Sequence, residues 1–226
     1  MSEIPVLEMR DVERSYRRGD EVVHALADLS LTIHPGEMVA LVGPSGCGKS
    51  TTLNLAAAVD RPDSGDVRVC GVDLVRAQEK ELVRLRRHEV GMVFQAFHLV
   101  PHLTVSENVA LPLALAGRRD PARVAELLER VGLGHRVRHY PSQLSGGEQQ
   151  RTAIARAVVH EPRLVVADEP TGNLDSATGR EVLELLDELR CERGVALLLA
   201  THDRSAAAAA DRVLRLADGH VVESAA

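Results

Sequence analysis

A glycine-rich segment that contains one lysine is the clearest chemical feature of the sequence. Residues 43–50 match the pattern Gly-x-x-x-x-Gly-Lys-[Ser/Thr], between an apolar run over Met38 to Val42 and a helical pattern over Ser50 to Val59. In this context backbone N–H groups turn inward around phosphates, Lys49 neutralises their charge, and the Ser50 hydroxyl can bind magnesium. We therefore predict a phosphate-binding loop in preference to a merely structural turn. The candidate nucleotide-binding residues here are Gly43, Pro44, Ser45, Gly46, Cys47, Gly48, Lys49, Ser50 and Thr51.

Two adjacent carboxylates follow another apolar run. Leu164 to Ala167 lead into Asp168 and Glu169, and ligands gather at the carboxyl ends of strands in open α/β sheets. Asp168 is therefore a candidate for the magnesium shell, and Glu169 is a candidate base for the attacking water of phosphoryl transfer. Taken alone, an Asp-Glu pair after a strand is more often a helix cap or a solvated turn. Its combination with the phosphate loop favours catalysis.

A third segment carries a resemblance to a known family. Residues 144–151 read Leu-Ser-Gly-Gly-Glu-Gln-Gln-Arg, which is similar to the signature motif of ABC ATPases, and the resemblance extends over essentially the whole chain. Ser145 and the amides of Gly146 and Gly147, at a helix start, would form a second anion site; Glu148 is included among the candidate binding residues. The resemblance implies that this site faces the phosphate loop of another copy, so that a homodimer encloses two ATP molecules.

The resemblance assigns roles to further positions. Tyr16 resembles the aromatic residue that stacks on adenine, although it could belong to the core. Gln95 resembles the glutamine that contacts magnesium and water, and His202 resembles the switch histidine at the γ-phosphate. The non-functional alternatives are that Gln95 is an ordinary polar loop residue and that His202 is a surface or core histidine. Residues 173–175 resemble the D-loop. Residues 102–108 would help to form the groove for a membrane partner, or would only cap a helix.

Three cysteines, Cys47, Cys70 and Cys191, form no Cys-x-x-Cys spacing, which disfavours a disulfide framework and a structural zinc site. Cys47 lies beside Lys49 and a helix N-terminus, which lower the pKa of a thiol. One hypothesis is therefore that alkylation of Cys47 blocks ATPase activity, with ATP protecting. The alternative is a small residue that fills space in the loop.

The pattern of elements predicts an α/β fold. We expect antiparallel β structure over 4–12 and 22–33, helices over 120–131, 148–159, 176–190 and 206–210, a strand over 195–200, and a C-terminal hairpin at Asp218-Gly219. The resemblance implies a P-loop NTPase core of the RecA type with a parallel sheet, an N-terminal antiparallel β subdomain and an inserted α-helical subdomain. We expect a single ABC ATPase domain over 1–226, with the β and RecA-like parts over 1–94 and 161–226 and the helical subdomain over about 95–160.

Composition and charge restrict the functional classes. The 226 residues carry a net charge of −6 without blocks of like charge, so we expect no direct nucleic-acid partner. The first residues do not resemble a secretory signal, and apolar runs are shorter than the roughly 20 residues of a membrane span. We therefore expect a chain that stays inside the cell and meets a membrane only through partners. The resemblance implies an ATPase on the cytoplasmic face of the inner membrane, attached peripherally through a permease.

Within the family, the stretches 94–109 and 170–176 are most similar to the lipoprotein-release, macrolide-export and FtsE group, which pairs with FtsX-like permeases. The sequence departs from that group at 56–58 and at Cys70, where glycine is common. Two alternatives have different partners: a soluble ABC ATPase acting on nucleic acid or ribosomes, and a P-loop kinase. The first usually carries a long coiled coil or two cassettes, and the second would not require the segment 144–151 or His202.

Overall fold

The computed structural model describes residues 4–19 and 21–225 as ten strands and seven α-helices. The strands are β1 (Leu7–Arg18), β2 (Glu21–Ile33), β3 (Met38–Val42), β4 (Ser64–Val69), β5 (Val72–Asp73), β6 (Val90–Phe94), β7 (Leu164–Asp168), β8 (Ala196–Ala200), β9 (Arg212–Ala217) and β10 (His220–Ala225). The helices are α1 (Lys49–Ala56), α2 (Glu79–His88), α3 (Val105–Leu115), α4 (Pro121–Arg130), α5 (Gly146–Val158), α6 (Ser176–Arg193) and α7 (Arg204–Ala208).

An antiparallel sheet of four strands, in the order β2-β1-β4-β5, contains the N-terminal part of the chain. This confirms the predicted antiparallel β region, but β1 extends well beyond residue 12 and pairs with β4 as well as with β2. The sequence analysis did not identify β4 or β5. Gly65 and two charged residues interrupt the apolar pattern of β4, whose side chains are buried only at Val67 and Val69.

A second sheet of six strands, in the order β10-β9-β3-β8-β7-β6, forms the centre of the fold. The strands from β9 to β6 run parallel, and β10 adds an antiparallel hairpin, as the Asp-Gly signal predicted. Successive buried side chains alternate between two cores. Leu198 packs with α1 and the antiparallel sheet, whereas Leu197 and Leu199 pack with α3 to α6.

Three helices, α3, α4 and α5, lie between β6 and β7 in the chain. The predicted helix after Asp120 is confirmed: Asp120 caps α4 by accepting from the Arg123 N–H, and Pro121 occupies its first turn. The sequence analysis missed α2, and it did not identify α3, which contains Pro112 in its interior. The boundaries of the helical subdomain, about 95–160, stay a proposal. Among the described residues, none of the helices combines the length and apolar character needed to cross a bilayer.

Several predicted helix ends differ from the structure by one to three residues; α6, for example, runs to Arg193 and not to residue 190. The helix expected over 50–59 ends at Ala56, because Ala58 adopts a left-handed backbone with φ of 53° and breaks the helical path. The helix expected over 206–210 begins instead at Arg204, where the Asp203 carboxylate accepts from the Ser205 N–H. Runs of alanine carry no signal for either end, whereas backbone geometry and caps decide both.

Two tight hairpins, β4–β5 and β9–β10, share one backbone geometry. Asp218 and Gly219 have φ values of 47° and 82°, and Cys70 and Gly71 have 49° and 86°. Two consecutive left-handed residues favour Asn-Gly or Asp-Gly. Cys70 therefore adopts a backbone conformation that is unfavourable for a residue with a Cβ. Glycine, which has no Cβ, would adopt it without this cost.

We expect Cys70→Asn to stabilise the fold by about 1 kcal/mol, since Asn tolerates the left-handed region better than Cys. For a chain of this size the midpoint of thermal unfolding should rise by about 2–4 °C. The matched control is Asp218→Cys, which places the same residue in the other turn and should lower the midpoint. An unchanged midpoint in both variants would show that neither turn is strained.

Candidate functional site

The register of the central sheet aligns the carboxyl ends of four parallel strands, and several predicted site residues follow these ends. Leu41 of β3 pairs with Ala200 of β8, Ala200 pairs with Asp168 of β7, and Asp168 pairs with Phe94 of β6. The phosphate loop, Glu169, Gln95 and His202 all follow these strand ends. Parallel strands leave their carboxyl ends on the same side of a sheet, so loops that are far apart in sequence meet there.

The predicted phosphate loop borders an open cleft of about 400 Å³, the phosphate cleft. Gly48 precedes α1 with φ of 108°, and a Cβ there would lie 2.5 Å from the carbonyl oxygen of Ala25. Only glycine therefore allows the loop to pack against β2 at this point. The lining residues are Val23, Ala25, Gly43, Ser45, Gly46, Gly48, Lys49, Ser50, Thr51, Asp168, Glu169 and His202.

The ammonium group of Lys49 folds back over the loop. Its Nζ donates to the carbonyl oxygens of Gly43 at 2.8 Å and Pro44 at 3.0 Å. The first N–H groups of an α-helix have no partner within the helix, and α1 has neither a side-chain cap nor an acidic residue in its first turn. The start of α1 and the Lys49 cation therefore border the same cleft. This combination is suited to binding phosphate groups.

Ser50 and Asp168 meet in the phosphate cleft as a candidate magnesium site. The Ser50 hydroxyl donates to the Asp168 carboxylate at 3.3 Å. Burial is the largest influence on Asp168 and raises the pKa of its carboxyl group, and nearby Glu169 raises it further. A divalent cation would stabilise the charged carboxylate that burial disfavours, and oxygen donors are the ligands that magnesium prefers.

These residues fit magnesium better than a metal held by protein side chains alone. Within residues 4–19 and 21–225, no group of three or more His, Cys, Asp or Glu side chains could hold a metal ion. Magnesium commonly takes one or two protein ligands and completes its shell with water and substrate phosphates.

Glu169 and His202 face each other across the phosphate cleft. The Nδ1 atom of His202 lies 3.1 Å from Oε1 of Glu169. Glu169 itself has φ of 45°, a left-handed conformation that is costly for a residue with a Cβ. Its backbone N–H donates to the carbonyl of Ala200 at 2.9 Å, which fixes the strained residue to β8. Strain held in this way is typical of functional sites.

Gln95 follows β6 but packs beside the predicted D-loop and does not line the phosphate cleft. Its Nε2 donates to Oδ1 of Asn173 at 3.3 Å, and Nδ2 of Asn173 donates back to the Gln95 carbonyl at 2.9 Å. Its side chain also contacts Gly172. The segment that contains Gln95 is therefore hydrogen-bonded directly to the predicted D-loop. A role for Gln95 at magnesium stays a prediction.

Tyr16 lies at the rim of the phosphate cleft, opposite Val23 in the β1–β2 pair. Its hydroxyl donates to Asp60 at 2.7 Å, and the guanidinium of Arg14 lies 4.8 Å from the ring centroid. The ring is 36% exposed, so it is a fixed surface platform and not a core residue. A flat base such as adenine can stack on such a ring.

Pro44 and Cys47 take no part in the lining of the phosphate cleft. Cys47 is 3% exposed, with Sγ 3.9 Å from Nζ of Lys49. This burial favours the interpretation of Cys47 as a residue that fills space under the loop.

Burial raises the pKa of the Cys70 thiol to about 11, so this thiol stays protonated at neutral pH.

A second cleft, of about 340 Å³, lies at the start of α5; we call it the signature cleft. Ser145 caps α5: its Oγ accepts from the Glu148 N–H at 3.3 Å, and its own N–H donates to Glu148 at 2.8 Å. A Cβ at Gly147 would lie 2.5 Å from Cγ2 of Thr178, so glycine lets α5 approach α6 closely. The cleft is lined by Ser145, Gly146, Gly147, Arg151, Asn173, Leu174, Asp175, Thr178 and Glu181.

Glu148, a predicted binding residue, contributes its carboxylate to the helix cap and not to the lining of the signature cleft. It also accepts from Nε of Arg136 at 2.9 Å. The hydrogen bond from the Ser145 N–H is the largest influence that lowers the pKa of Glu148, and Arg136 adds to it. The Glu148 side chain therefore orients Ser145 at the helix start.

A third depression joins the two clefts. It is lined by Glu169 and His202, which also line the phosphate cleft, and by Leu174, which also lines the signature cleft. The predicted D-loop thus forms the connection between them. We call this continuous surface the cleft strip.

Sequence reasoning missed several residues of this region. Thr178 and Glu181 of α6 line the signature cleft, although the sequence gives no distinct signal for them. Arg151 also lines it; it belongs to the segment 144–151, but no role was assigned to it. Gln150 is fully buried and donates from Nε2 to the Pro170 carbonyl at 2.7 Å. A buried polar residue inside an apolar helix face is a signal that could have identified this contact.

Comparison with protein families gives one match, to the model described as ABC transporter, over residues 26–172. The chain is 49% identical over 225 residues to the lipoprotein-releasing system ATP-binding protein LolD of Pseudomonas fluorescens, covering 98% of this chain and 99% of LolD. It is 47% identical over 223 residues to the macrolide export ATP-binding/permease protein MacB of Shigella flexneri, covering 97% of this chain. The chain spans 34% of the length of that MacB protein.

Two solved structures of the ATP-binding cassette MJ0796 share this fold. Each superposes with a TM-score of 0.89 at 39% sequence identity and covers 97% of both chains. One is described as a dimeric post-hydrolysis state bound to ADP and Pi, and the other as a dimeric bacterial ABC transporter cassette.

Removal of the Lys49 ammonium should weaken nucleotide binding. We expect Lys49→Ala to lower the affinity for ATP by roughly 10- to 100-fold, the effect of losing one charge-assisted hydrogen bond. Isothermal titration calorimetry measures this affinity directly. The chain has one other lysine, Lys80, which is exposed on α2; Lys80→Ala is the matched control and should bind ATP normally. Equal affinity in both variants would contradict a phosphate role for Lys49.

Proposed function

The chain belongs to the ABC transporter family, and from this premise we propose that it is the ATP-binding and ATP-hydrolysing subunit of a transport complex. It would act as a homodimer with a separate membrane permease. The observation that carries the proposal is the cleft strip, because one chain presents both a phosphate cleft and a signature cleft on one connected surface.

The cleft strip supports a head-to-tail dimer. A two-fold axis across the strip places the phosphate cleft of one copy opposite the signature cleft of the other, and the two contacts are then identical. The Ser145 hydroxyl keeps its proton for an incoming phosphate, since its oxygen accepts within the helix cap. Each nucleotide would therefore be bound by residues from both copies.

Each side chain has a distinct part in the proposed hydrolysis. Lys49 and the loop amides bind the phosphates, and Glu169 orients or deprotonates the water that attacks the γ-phosphate. His202, 3.1 Å from Glu169, positions this carboxylate and contacts the same phosphate. Magnesium, held by Ser50 and Asp168, would supply positive charge to the phosphate oxygens, and Gln95 would reach it only after leaving Asn173.

Loss of the γ-phosphate removes the charge that both halves of the dimer bind. The phosphate loop and the start of α5 both favour an anion, so an ATP between them attracts both copies. Hydrolysis weakens this shared attraction, and the dimer then opens. The chemical step is thereby converted into a movement that a membrane partner can use.

A groove between α2 and α3, the α2–α3 groove, is the surface that we propose for the permease. It has a volume of about 390 Å³ and an apolar wall that includes Leu111 and Leu115. Leu115 is 56% exposed, and Arg87 lies at the rim. A short amphipathic helix with acidic residues would match these features. The predicted segment 102–108 leads into this groove as the start of α3.

Similarity to LolD and MacB supports the narrower proposal of an FtsX-like permease. LolD is named as part of a lipoprotein-releasing system and MacB as a macrolide exporter, so we propose lipoprotein release, export or mechanotransmission as the work performed. Attachment to such a permease would place the chain on the cytoplasmic face of the inner membrane. The net charge of −6 gives no electrostatic support to the alternative of direct action on nucleic acid.

We expect Glu169→Gln to bind ATP normally while turnover falls by at least about 100-fold, because the variant lacks the general base. Without hydrolysis the variant should accumulate as an ATP-dependent dimer, which light scattering coupled to gel filtration detects.

The matched control is Glu161→Gln. Glu161 also has a left-handed backbone, with φ of 62°, but it lies after α5, away from the clefts. Its turnover should equal that of the wild type. Normal hydrolysis by Glu169→Gln would remove Glu169 from the mechanism, and a permanent monomer would remove the proposed dimer.

A photo-cross-linking amino acid at Leu115 should capture an integral membrane protein in the membranes of the source cell. The matched control is the same probe at Val222, which is 57% exposed on β10, at the opposite edge of the central sheet. Mass spectrometry identifies the product. An FtsX-like permease at Leu115 alone is the expected result, whereas equal capture of ribosomal proteins at both positions would contradict the proposal.

A further inference from the structure

A partly buried arginine connects α5 to the turn that follows Gln95. Arg156 lies on α5, and its Nη1 and Nη2 donate to the carbonyl oxygens of His98 at 2.5 Å and Phe97 at 2.8 Å. Burial lowers the pKa of Arg156 from its ordinary value. Both hydrogen bonds described for this guanidinium go to backbone carbonyls of the turn. Its positive charge therefore strengthens the bonds that hold the turn to α5.

The turn itself is strained. Phe97 and His98 have φ values of 60° and 48°, two consecutive left-handed residues that both carry a Cβ. Two consecutive L-residues rarely adopt this conformation unless surrounding residues stabilise it. The ring of His98 lies 4.7 Å from that of Phe94, and the two carbonyls accept from Arg156. Arg156 thus stabilises a backbone path that these residues would not keep alone.

The same helix contacts the candidate site at two other points. Gln150 donates to the carbonyl of Pro170, the residue directly after Glu169. A Cβ at Gly146, at the start of α5, would lie 3.9 Å from Cζ of Phe97. Arg156 also lines the α2–α3 groove. One helix therefore touches the signature cleft, the segment after the candidate base, the Gln95 turn and the proposed permease surface.

We propose that Arg156 is a positioning residue that makes Gln95 follow the movement of α5, and this inference rests on the proposed function. When α5 moves with its signature cleft, the bidentate guanidinium carries residues 97 and 98 with it, and Gln95 shifts relative to Asp168 on the neighbouring strand. Lysine cannot reproduce this link, because an ammonium group lacks the planar fork that binds two carbonyls at once.

The test is a double-mutant cycle on ATP turnover by the full chain. We expect Arg156→Lys to lower kcat by about 10- to 100-fold, the effect of a small misplacement of a catalytic group, with little change in KM. If Arg156 acts through Gln95, then Arg156→Lys in a Gln95→Ala background lowers kcat no further. Additive losses, or an unchanged kcat in Arg156→Lys, would overturn the inference.

Hydrogen exchange provides a second readout that does not depend on residual activity. Arg156→Lys should speed exchange at residues 96–100 and leave exchange in the strands of the central sheet unchanged. Unchanged exchange at residues 96–100 would count against the link. The control is Arg190→Lys, since Arg190 is also partly buried and donates to a loop carbonyl, that of Gly36, away from the clefts. This variant should keep the wild-type kcat. Failure of the wild type to hydrolyse ATP would instead refute the proposed function itself.

Discussion

The hydrogen-bonded register of four parallel strands is the constraint on which the site depends. One row of the sheet contains Leu41, Ala200, Asp168 and Phe94, and the chemically active residues come directly after that row. A slip of one residue in any strand would turn its side chains to the opposite face. The two apolar cores hold the register from both sides, so the packing of small and branched residues determines where the carboxylates, the histidine and the glycine-rich loop meet.

Local patterns in the sequence were sufficient to predict the central strands and the residues of the phosphate cleft that lie on the glycine-rich loop and at the end of β7. The glycine-rich loop, the apolar runs of β3, β7 and β8, and the Asp-Gly hairpin each have a short-range physical cause, and the structure places them as predicted. The loop and Asp168-Glu169 could be found because strand ends and glycines have recognisable spacing. The family resemblance located Ser145, Gln95 and His202, since no local rule singles out one polar residue among many.

What the sequence did not indicate depends on contacts between distant segments. β4 lacks a clean apolar alternation because its partner β1 supplies half of its environment. Helix α2 is mostly charged, and only Leu82 and Leu85 are buried. The carbonyls bound by Arg156 and Gln150 are backbone atoms, which no residue type reveals. The left-handed backbones of Glu169, Phe97 and His98 likewise have no signal in the sequence.

The cleft strip also bears on how fast isolated copies can work. On the proposed function, the phosphate cleft and the signature cleft are each half of a site, so free subunits in dilute solution must first meet by diffusion. A scaffold that holds two copies side by side replaces this encounter with an intramolecular one, at an effective concentration that reaches the millimolar range for short tethers. On the proposed function, the permease is therefore both the recipient of the work and the element that keeps the motor assembled between cycles.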